Sequence, residues 1–232
     1  MIYNLTDTFF IAQTQNANLV AGITLCTPLF SMMLALGDMF GLGGSSAISR
    51  LLGQKKYDLA GRINSFCFYA ALLLGVLIMV CLFVFKAQGL ALLGVTPSTY
   101  RYANVYYEIM AIASVLIIVA LVPMNTLRTE GLAKQSMLGT VAGTILKIFL
   151  DPLFIFGFHL GAAGAAWATV VGYSVTDIIL ISYTNNRARY LQVNIRHAKI
   201  PLAEIKDVLL IGLPASVTNF MTMLGTALMN NF

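Results

Sequence analysis

Ionisable side chains stand inside long apolar stretches of this 232-residue sequence, where they are costly. A charged residue at the centre of a membrane-spanning helix costs roughly 2.5–3.5 kcal/mol on insertion scales, so each one requires a partner or a function. The three that lie deepest in apolar sequence are Asp7, Lys147 and Asp151. A carboxylate in such a place binds a proton or a small cation, which makes these residues candidates for ion coupling.

Lys147 and Asp151 are four residues apart, which places them on one face of a helix and within reach of an ion pair. Pro152 follows at once, and its ring removes the normal backbone hydrogen bond to Ile148. The sequence therefore predicts a kink with a free carbonyl oxygen near the carboxylate, a combination that suits a small cation or a relay water. The alternative is a neutral pair in a kinked helix without any role in ion movement.

Three further carboxylates fall in or near apolar segments. Asp38 and Glu108 lie near the ends of predicted spans, where we expect solvated or capping side chains. Asp177 lies well inside the sixth predicted span. Its position is compatible with either a functional or a structural role.

The composition requires a membrane environment for the whole chain. Hydrophobic residues make up 59% and charged residues 10% of the sequence, against roughly 45–50% and about 25% in a soluble domain. With a mean hydropathy of +0.83, the chain is neither disordered, nor a secreted disulfide scaffold, nor a cytosolic enzyme. Because a span needs roughly 20 apolar residues, the charge-free stretches predict seven helices: 1–12, 18–41, 62–85, 102–126, 136–157, 162–184 and 206–231.

The first of these spans is short for a bilayer crossing. Twelve residues of helix measure roughly 18 Å, against a hydrocarbon core of about 30 Å. A secretory signal peptide is disfavoured, because residues 1–5 carry no basic charge and Asp7 interrupts the apolar run. We expect these residues to be the later part of a truncated transmembrane helix.

The basic residues are distributed unevenly between the loops. Eleven of the fourteen lysines and arginines follow the second, fourth or sixth span, whereas only Lys86 and Arg101 follow the third. The positive-inside rule then places these basic loops and the amino terminus in the cytoplasm. The pI of about 9.2 is thus explained by topology, and nucleic-acid binding is not expected.

Small residues mark the helix contacts. Gly139 and Gly143 form a small-xxx-small pattern, and residues 161–166 contain only glycine and alanine. The glycines of Gly41–Gly44 are expected at the cytoplasmic end of the second span. They lack the remainder of a phosphate-binding fingerprint, so nucleotide binding is not predicted. The three cysteines all fall in predicted spans and are expected to be packing residues.

Several motifs together resemble the multidrug and toxic compound extrusion (MATE) transporters. They occur in matching order over nearly the whole chain, and no single one is decisive. They are Tyr3–Thr8, Gly41–Ser46 followed by Ser49–Gln54, Leu127–Gly131, Leu150–Gly157 and Gly161–Thr169.

The resemblance implies an all-α, polytopic transmembrane helix bundle. In this interpretation residues 1–183 form a six-helix amino-terminal lobe, 184–203 a cytoplasmic linker, and 204–232 the first helix of a second lobe. The full-length protein would be a monomeric, twelve-helix antiporter in the cell membrane. It would be no enzyme and have no cofactor besides a coupling ion, H⁺ or Na⁺. Its partners would be small amphipathic, often cationic drugs and the membrane lipids.

The resemblance also implies a cation site. In the family, an aspartate on the first helix, an asparagine and an aspartate on the fifth, and a threonine on the sixth come together. The matching residues are Asp7, Lys147, Asp151 and Thr169, so a sodium ion is expected, if at all, near Asp7, Asp151 and Thr169. Lys147 replaces the asparagine, and its ammonium group would fill the place of a sodium ion. Proton coupling is therefore favoured over direct sodium binding.

Three other functions compete with drug export. A lipid-linked oligosaccharide flippase of the same superfamily prefers a strongly basic cavity, whereas Lys147 is the only basic residue away from the ends of the predicted spans. A seven-helix receptor agrees with the number of spans and disagrees with the cytoplasmic amino terminus. An intramembrane aspartyl protease needs paired catalytic aspartates in a context that Asp38 and Asp58 do not have.

Overall fold

The structure is a computed structural model that describes residues 9–194 and 200–230. Residues 9–12 are helical and end in a turn. The helices that follow are α1 (Ala17–Leu25), α2 (Thr27–Gly53), α3 (Tyr57–Val84), α4 (Lys86–Leu92), α5 (Tyr100–Thr129), α6 (Ala133–Pro152), a π-helical turn (Leu153–Gly157), α7 (Ala162–Asn186) and α8 (Leu202–Asn230). No strand occurs within the described ranges.

Among the described residues, five stretches are long and apolar enough to cross a bilayer: Ala17–Gly53, Tyr57–Val84, Tyr100–Thr129, Ala133–Gly157 and Ala162–Asn186. They correspond to the predicted second to sixth spans, and α8 corresponds to the seventh. The first predicted span lies mostly outside the described residues. The prediction of an all-α transmembrane bundle is confirmed.

The predicted end of the second span is wrong. The glycines of Gly41–Gly44 lie inside α2, which continues as a helix to Gly53. They remain helical because they meet neighbouring helices: Gly41 faces the backbone of Leu121 on α5, and Gly44 faces the Cys67 side chain on α3. Asp38 accordingly lies in the middle of α2, away from any helix end, and is half-buried.

Helix α5 is the centre of the bundle. It packs against α2, α3 and α7, and its buried residues continue from Ala103 to Leu127. Where α2 and α3 meet α5 the approach is close, because a Cβ atom at Gly37 or Gly75 would lie about 3 Å from the α5 backbone. In hydrocarbon there is no water to drive helices together, so such close van der Waals contact is what stabilises the bundle.

Helices α6 and α7 pack antiparallel through glycine. A Cβ atom on Gly143 would lie 2.5 Å from the Gly172 carbonyl oxygen, and one on Gly139 would lie 2.6 Å from a Leu180 methyl group. Beyond the π-helical turn, Gly164 packs on the Phe154 backbone in the same way. These contacts fix the register of the two helices that carry the candidate site.

The beginning of α8 packs on the second half of α2. Gly43 and Gly212 lie at this seam, where an added Cβ on Gly43 would be 3.1 Å from the Gly212 Cα. At the same end of the bundle the Arg50 guanidinium is 2.5 Å from Asp207 and 3.8 Å from Glu204. Arg50 lies in the last turn of α2 and Glu204 in the first turn of α8, so each of these two also complements its own helix dipole.

The segment after α7 is held against the bundle by one carboxylate. Glu130, just after α5, accepts hydrogen bonds from the backbone N–H groups of Arg189, Tyr190 and Leu191 at 2.7, 2.8 and 2.7 Å. Consecutive backbone N–H groups pointing at one anion form a nest. The end of the bundle at which this segment, residues 187–201, joins α7 to α8 is called the linker side below.

Two further contacts fasten the same segment to the start of α3. The Gln192 carbonyl oxygen accepts hydrogen bonds from Asn64 and Ser65 at 3.0 and 2.7 Å. The rings of Tyr57 and Tyr190 stack with centroids 4.1 Å apart. Residues 189–192 are thereby docked on the beginning of α3 and on the loop that follows α5.

Removing the Glu130 carboxylate is expected to release the linker. A hydrogen bond to a charged group contributes about 1.5–3 kcal/mol, and Glu130 accepts three of them. In the purified protein, Glu130→Ala should raise the rate of tryptic cleavage after Arg187 and Arg189 at least tenfold, with fragments identified by mass. Lys134→Ala, an exposed change nearby, is the control. Equal cleavage rates in the two variants would contradict the nest.

A methyl group at Gly143 is expected to separate α6 from α7. Overpacking of this kind costs about 1–3 kcal/mol, so Gly143→Ala should lower the thermal unfolding midpoint in detergent. Gly53→Ala is the matched control, because nothing lies within 4 Å of its added Cβ atom. If both variants melt at the same temperature, the close approach at Gly143 does not contribute to stability.

Candidate functional site

The buried face of α6 is a narrow polar and small-residue stripe. Its members are spaced three to four residues apart, so they share one side of the helix: Ser136, Gly139, Gly143, Lys147 and Asp151. The glycines let α7 approach closely, and this approach excludes lipid and water from the last two residues. Lys147 and Asp151 are both completely buried.

Lys147 and Asp151 form the predicted ion pair. The Lys147 ammonium nitrogen lies 2.8 Å from Oδ2 and 3.1 Å from Oδ1 of Asp151, so it donates to both carboxylate oxygens. Removing two charges from water costs several kcal/mol per ion, and only close pairing offsets that cost. An aspartate near the end of α6 is also disfavoured by the helix dipole, which adds to the need for a cation one turn earlier.

Thr169 lies at the depth of this pair. The contacts between Gly143 and Gly172, and between Phe154 and Gly164, place Thr169 opposite the stretch of α6 between Lys147 and Asp151. The threonine is buried, and its hydroxyl donates to the Ala165 carbonyl oxygen at 3.1 Å. Its oxygen lone pairs remain able to accept a hydrogen bond.

Asp7, the fourth predicted site residue, lies outside the described residues. The structure thus brings three of the four predicted residues to one level of the bundle. No position is assigned to the fourth. A group of three or more His, Cys, Asp or Glu side chains able to hold a metal ion does not occur in the described part of the chain.

The predicted break at Pro152 takes the form of a π-helical turn. Pro152 is the last residue of α6, and Leu153–Gly157 continue the chain with the wider hydrogen bonding in which the Phe158 N–H reaches the Leu153 carbonyl oxygen at 3.0 Å. Turns of this kind are frequent at functional sites, because they change which carbonyl groups are bonded. The turn begins two residues after Asp151.

A cavity of about 210 Å³ opens on the linker side of the ion pair. It lies between α2, α5, α6 and α7, and Thr140, which lines it, is two turns from Lys147. Tyr173 and Phe30 form an aromatic wall with ring centroids 6.4 Å apart. This space is large enough for several water molecules or for part of an apolar ligand.

For Glu108 and Asp177 the structure gives surroundings that the sequence does not indicate. The position of Glu108 predicts a solvated or capping side chain; the residue is partly exposed, and it also forms an ion pair with Lys86 of α4. Asp177, for which the sequence allows either role, is buried on α7, and in the described part of the chain both of its carboxylate oxygens lack a hydrogen-bond partner. Only the position of Asp177 inside an apolar span indicates in the sequence that it is unusual.

Comparisons with known proteins agree with this architecture. The MatE family profile matches residues 1–153. The multidrug export protein MepA of Staphylococcus haemolyticus (strain JCSC1435) is 33% identical over 215 residues, which cover 93% of this chain and 48% of that protein. The chain therefore spans about half the length of the curated relatives it matches.

Two solved structures are similar in fold. One is the inward-facing conformation of a multidrug resistance MATE family transporter of the MOP superfamily, with a TM-score of 0.92 and 28% identity over 97% of this chain and 51% of the other. The second is the MATE multidrug transporter DinF-BH, with a TM-score of 0.90 and 30% identity over 99% of this chain and 51% of the other. The profile match covers most of the sequence and the helices superpose along nearly the whole chain, so this multi-pass membrane protein belongs to the MatE family.

Proposed function

We propose that this chain forms the amino-terminal lobe, and the first helix of the second lobe, of an antiporter that exports amphipathic, often cationic compounds. The observation that carries the proposal is the buried Lys147–Asp151 pair in a member of the MatE family. A multidrug export protein and a multidrug transporter are among the relatives, and each of them is about twice as long as this chain. The second lobe of the transporter would supply the other wall of the substrate cavity.

Proton coupling through the amino-terminal lobe follows from the charges of the site. Lys147 already satisfies both oxygens of Asp151, so a sodium ion would have to displace an ammonium group to reach that carboxylate. A proton needs no such space, because it binds to a carboxylate oxygen directly. We infer that Asp7 and Asp151 share protonation, that Lys147 favours one ionised carboxylate, and that Thr169 contributes a hydroxyl oxygen.

Proton binding at this level would change the conformation of the lobe. Protonated and ionised states differ in charge, so they favour different packing of the first helix in a poorly hydrated cavity. The linker-side cavity next to Thr140 and Tyr173 would change in volume and charge with them. Alternation between two such states is how an antiporter exchanges a proton for a substrate.

The topology completes the proposal. The basic residues in and beside the connections that follow α2, α5 and α7 favour a cytoplasmic linker side and a cytoplasmic amino terminus in the cell membrane. Small amphipathic compounds and membrane lipids would be the partners, and the full-length protein would act as a monomer. Neither catalysis nor nucleic-acid binding is part of the proposed function.

The flippase alternative is weakened by the same ion pair. A lipid-linked oligosaccharide carries phosphate and would need net positive charge in the cavity. In the part of the chain that the structure describes, Lys147 is the one basic residue buried within a span, and Asp151 neutralises its charge. The described interior therefore offers little attraction to a phosphate group.

Export of a fluorescent organic cation tests the proposal directly. Cells expressing the full-length transporter that contains this sequence would be loaded with ethidium, and sodium and proton gradients would be imposed separately. We expect export with an inward proton gradient and little response to sodium alone. Export that continues after both gradients have collapsed would contradict an antiporter.

The ion pair itself gives a sharper prediction. Lys147→Asn removes the ammonium group and opens a place for a cation, so export should gain a dependence on sodium. Asp151→Asn should reduce export driven by the proton gradient at least tenfold, because the titratable group is lost. Lys134→Asn, a change of the exposed lysine of α6, is the matched control. The coupling model is wrong if Lys147→Asn leaves the ion dependence unchanged and Asp151→Asn leaves transport intact.

A further inference from the structure

Asp177 on α7 is buried, and only 5% of its surface is exposed. Among residues 9–194 and 200–230, which the structure describes, neither of its carboxylate oxygens has a hydrogen-bond partner. Nine residues of helix, about 13 Å at 1.5 Å per residue, separate it from the end of α7 at Asn186. The residue is therefore inside the bilayer region of a single lobe and is covered by that lobe alone.

An ionised carboxylate is not stable in these surroundings. A charge in hydrocarbon requires a counter-charge or several hydrogen-bond donors, and a group that has neither becomes neutral by binding a proton. Asp151 shows the other solution, because Lys147 donates to both of its oxygens. The two buried carboxyl groups thus differ in state: Asp151 is ion-paired, and Asp177 carries a proton.

Within the described residues, no charged group on the helices that pack against α7 pairs with Asp177. Helix α7 packs on α5, α6 and the π-helical turn, and Tyr173 also meets Phe30 of α2. None of the charged residues on these elements forms a hydrogen bond with Asp177 in the described part of the chain. They are Asp38 and Arg50 on α2, Arg101, Glu108 and Arg128 on α5, and Lys134, Lys147 and Asp151 on α6.

The linker-side cavity begins at the level of Asp177 and extends towards the level of Asp151. The register of α6 and α7 places Asp177 opposite residue 141, about 15 Å along the bundle from Asp151. Thr140 and Thr176 both line the cavity, and Thr176 is next to Asp177 in sequence. The two hydroxyl groups donate to carbonyl groups of their own helices, so their oxygens remain acceptors for water in the cavity.

We propose that Asp177 is a second proton-binding group of this lobe, which transfers protons between the linker-side cavity and the aqueous phase at the linker side. In each cycle one proton enters the carboxylate from cavity water and one leaves to water beyond the end of α7. The carboxyl group is regenerated, and no other reactant is consumed. The inference rests on the proposed antiport function and deepens it, since it adds a step between Asp151 and the solution.

Three variants separate this role from simple packing. Asp177→Asn keeps the shape and the neutral state of the side chain and removes the proton. If Asp177 is only a neutral packing group, this variant should export the substrate at the same rate as the parent, the unsubstituted full-length transporter. A proton-transferring group predicts at least a tenfold loss of export driven by a proton gradient. Asp177→Glu should retain at least a third of the export, and Thr184→Val, which removes another buried polar group of α7, is the control.

Infrared spectroscopy tests the protonated state independently of transport. The parent protein, reconstituted at neutral pH, should show a carboxylic-acid C=O band that shifts in heavy water and is absent from Asp177→Asn. Absence of such a band in the parent would overturn the proposal, as would full export by Asp177→Asn. If the parent exports nothing under any gradient, the antiport proposal fails, and a band that disappears in Asp177→Asn still establishes the proton on Asp177.

Discussion

The close approach of α6 and α7 is the constraint on which the rest of the lobe depends. Gly143 leaves no side chain between α6 and the Gly172 carbonyl group, so neither lipid nor water reaches the next turn of α6. That next turn carries Lys147 and Asp151, whose charges are stable there because each is the partner of the other. A bulkier contact would admit water, and the pair would then be an ordinary surface interaction of little energy.

The same constraint explains why polar residues on these helices are matched in depth. Two antiparallel helices with glycine contacts at both ends have one register, so Thr169 must lie beside the turn between Lys147 and Asp151. The π-helical turn after Pro152 begins at the edge of this level and changes the direction of the carbonyl groups. The residues of the candidate site are close because they lie at the same depth along the packed helices, although some are far apart in sequence.

Much of this arrangement is predictable from the sequence because hydrocarbon leaves few alternatives. Charge-free stretches of sufficient length must be helices, and a lysine four residues before an aspartate in such a stretch must pair with it. The glycines of Gly41–Gly44 are misleading in the sequence because glycine marks both helix ends and close helix contacts, and only the position of α3 and α5 distinguishes the two. The same limit applies to Glu130, since its backbone partners are about sixty residues away.

The unpartnered state of Asp177 is also beyond the reach of sequence analysis. An aspartate inside a span is unusual whatever surrounds it, but its protonation depends on which groups the neighbouring helices supply. The buried lysine of α6 is already bound to Asp151, and Gly139 and Gly143 contribute no side chain with which to donate. The glycines that allow α6 and α7 to bury an ion pair thus also leave Asp177 without a partner on α6, so one lobe contains a charged pair and a neutral acid on facing helices.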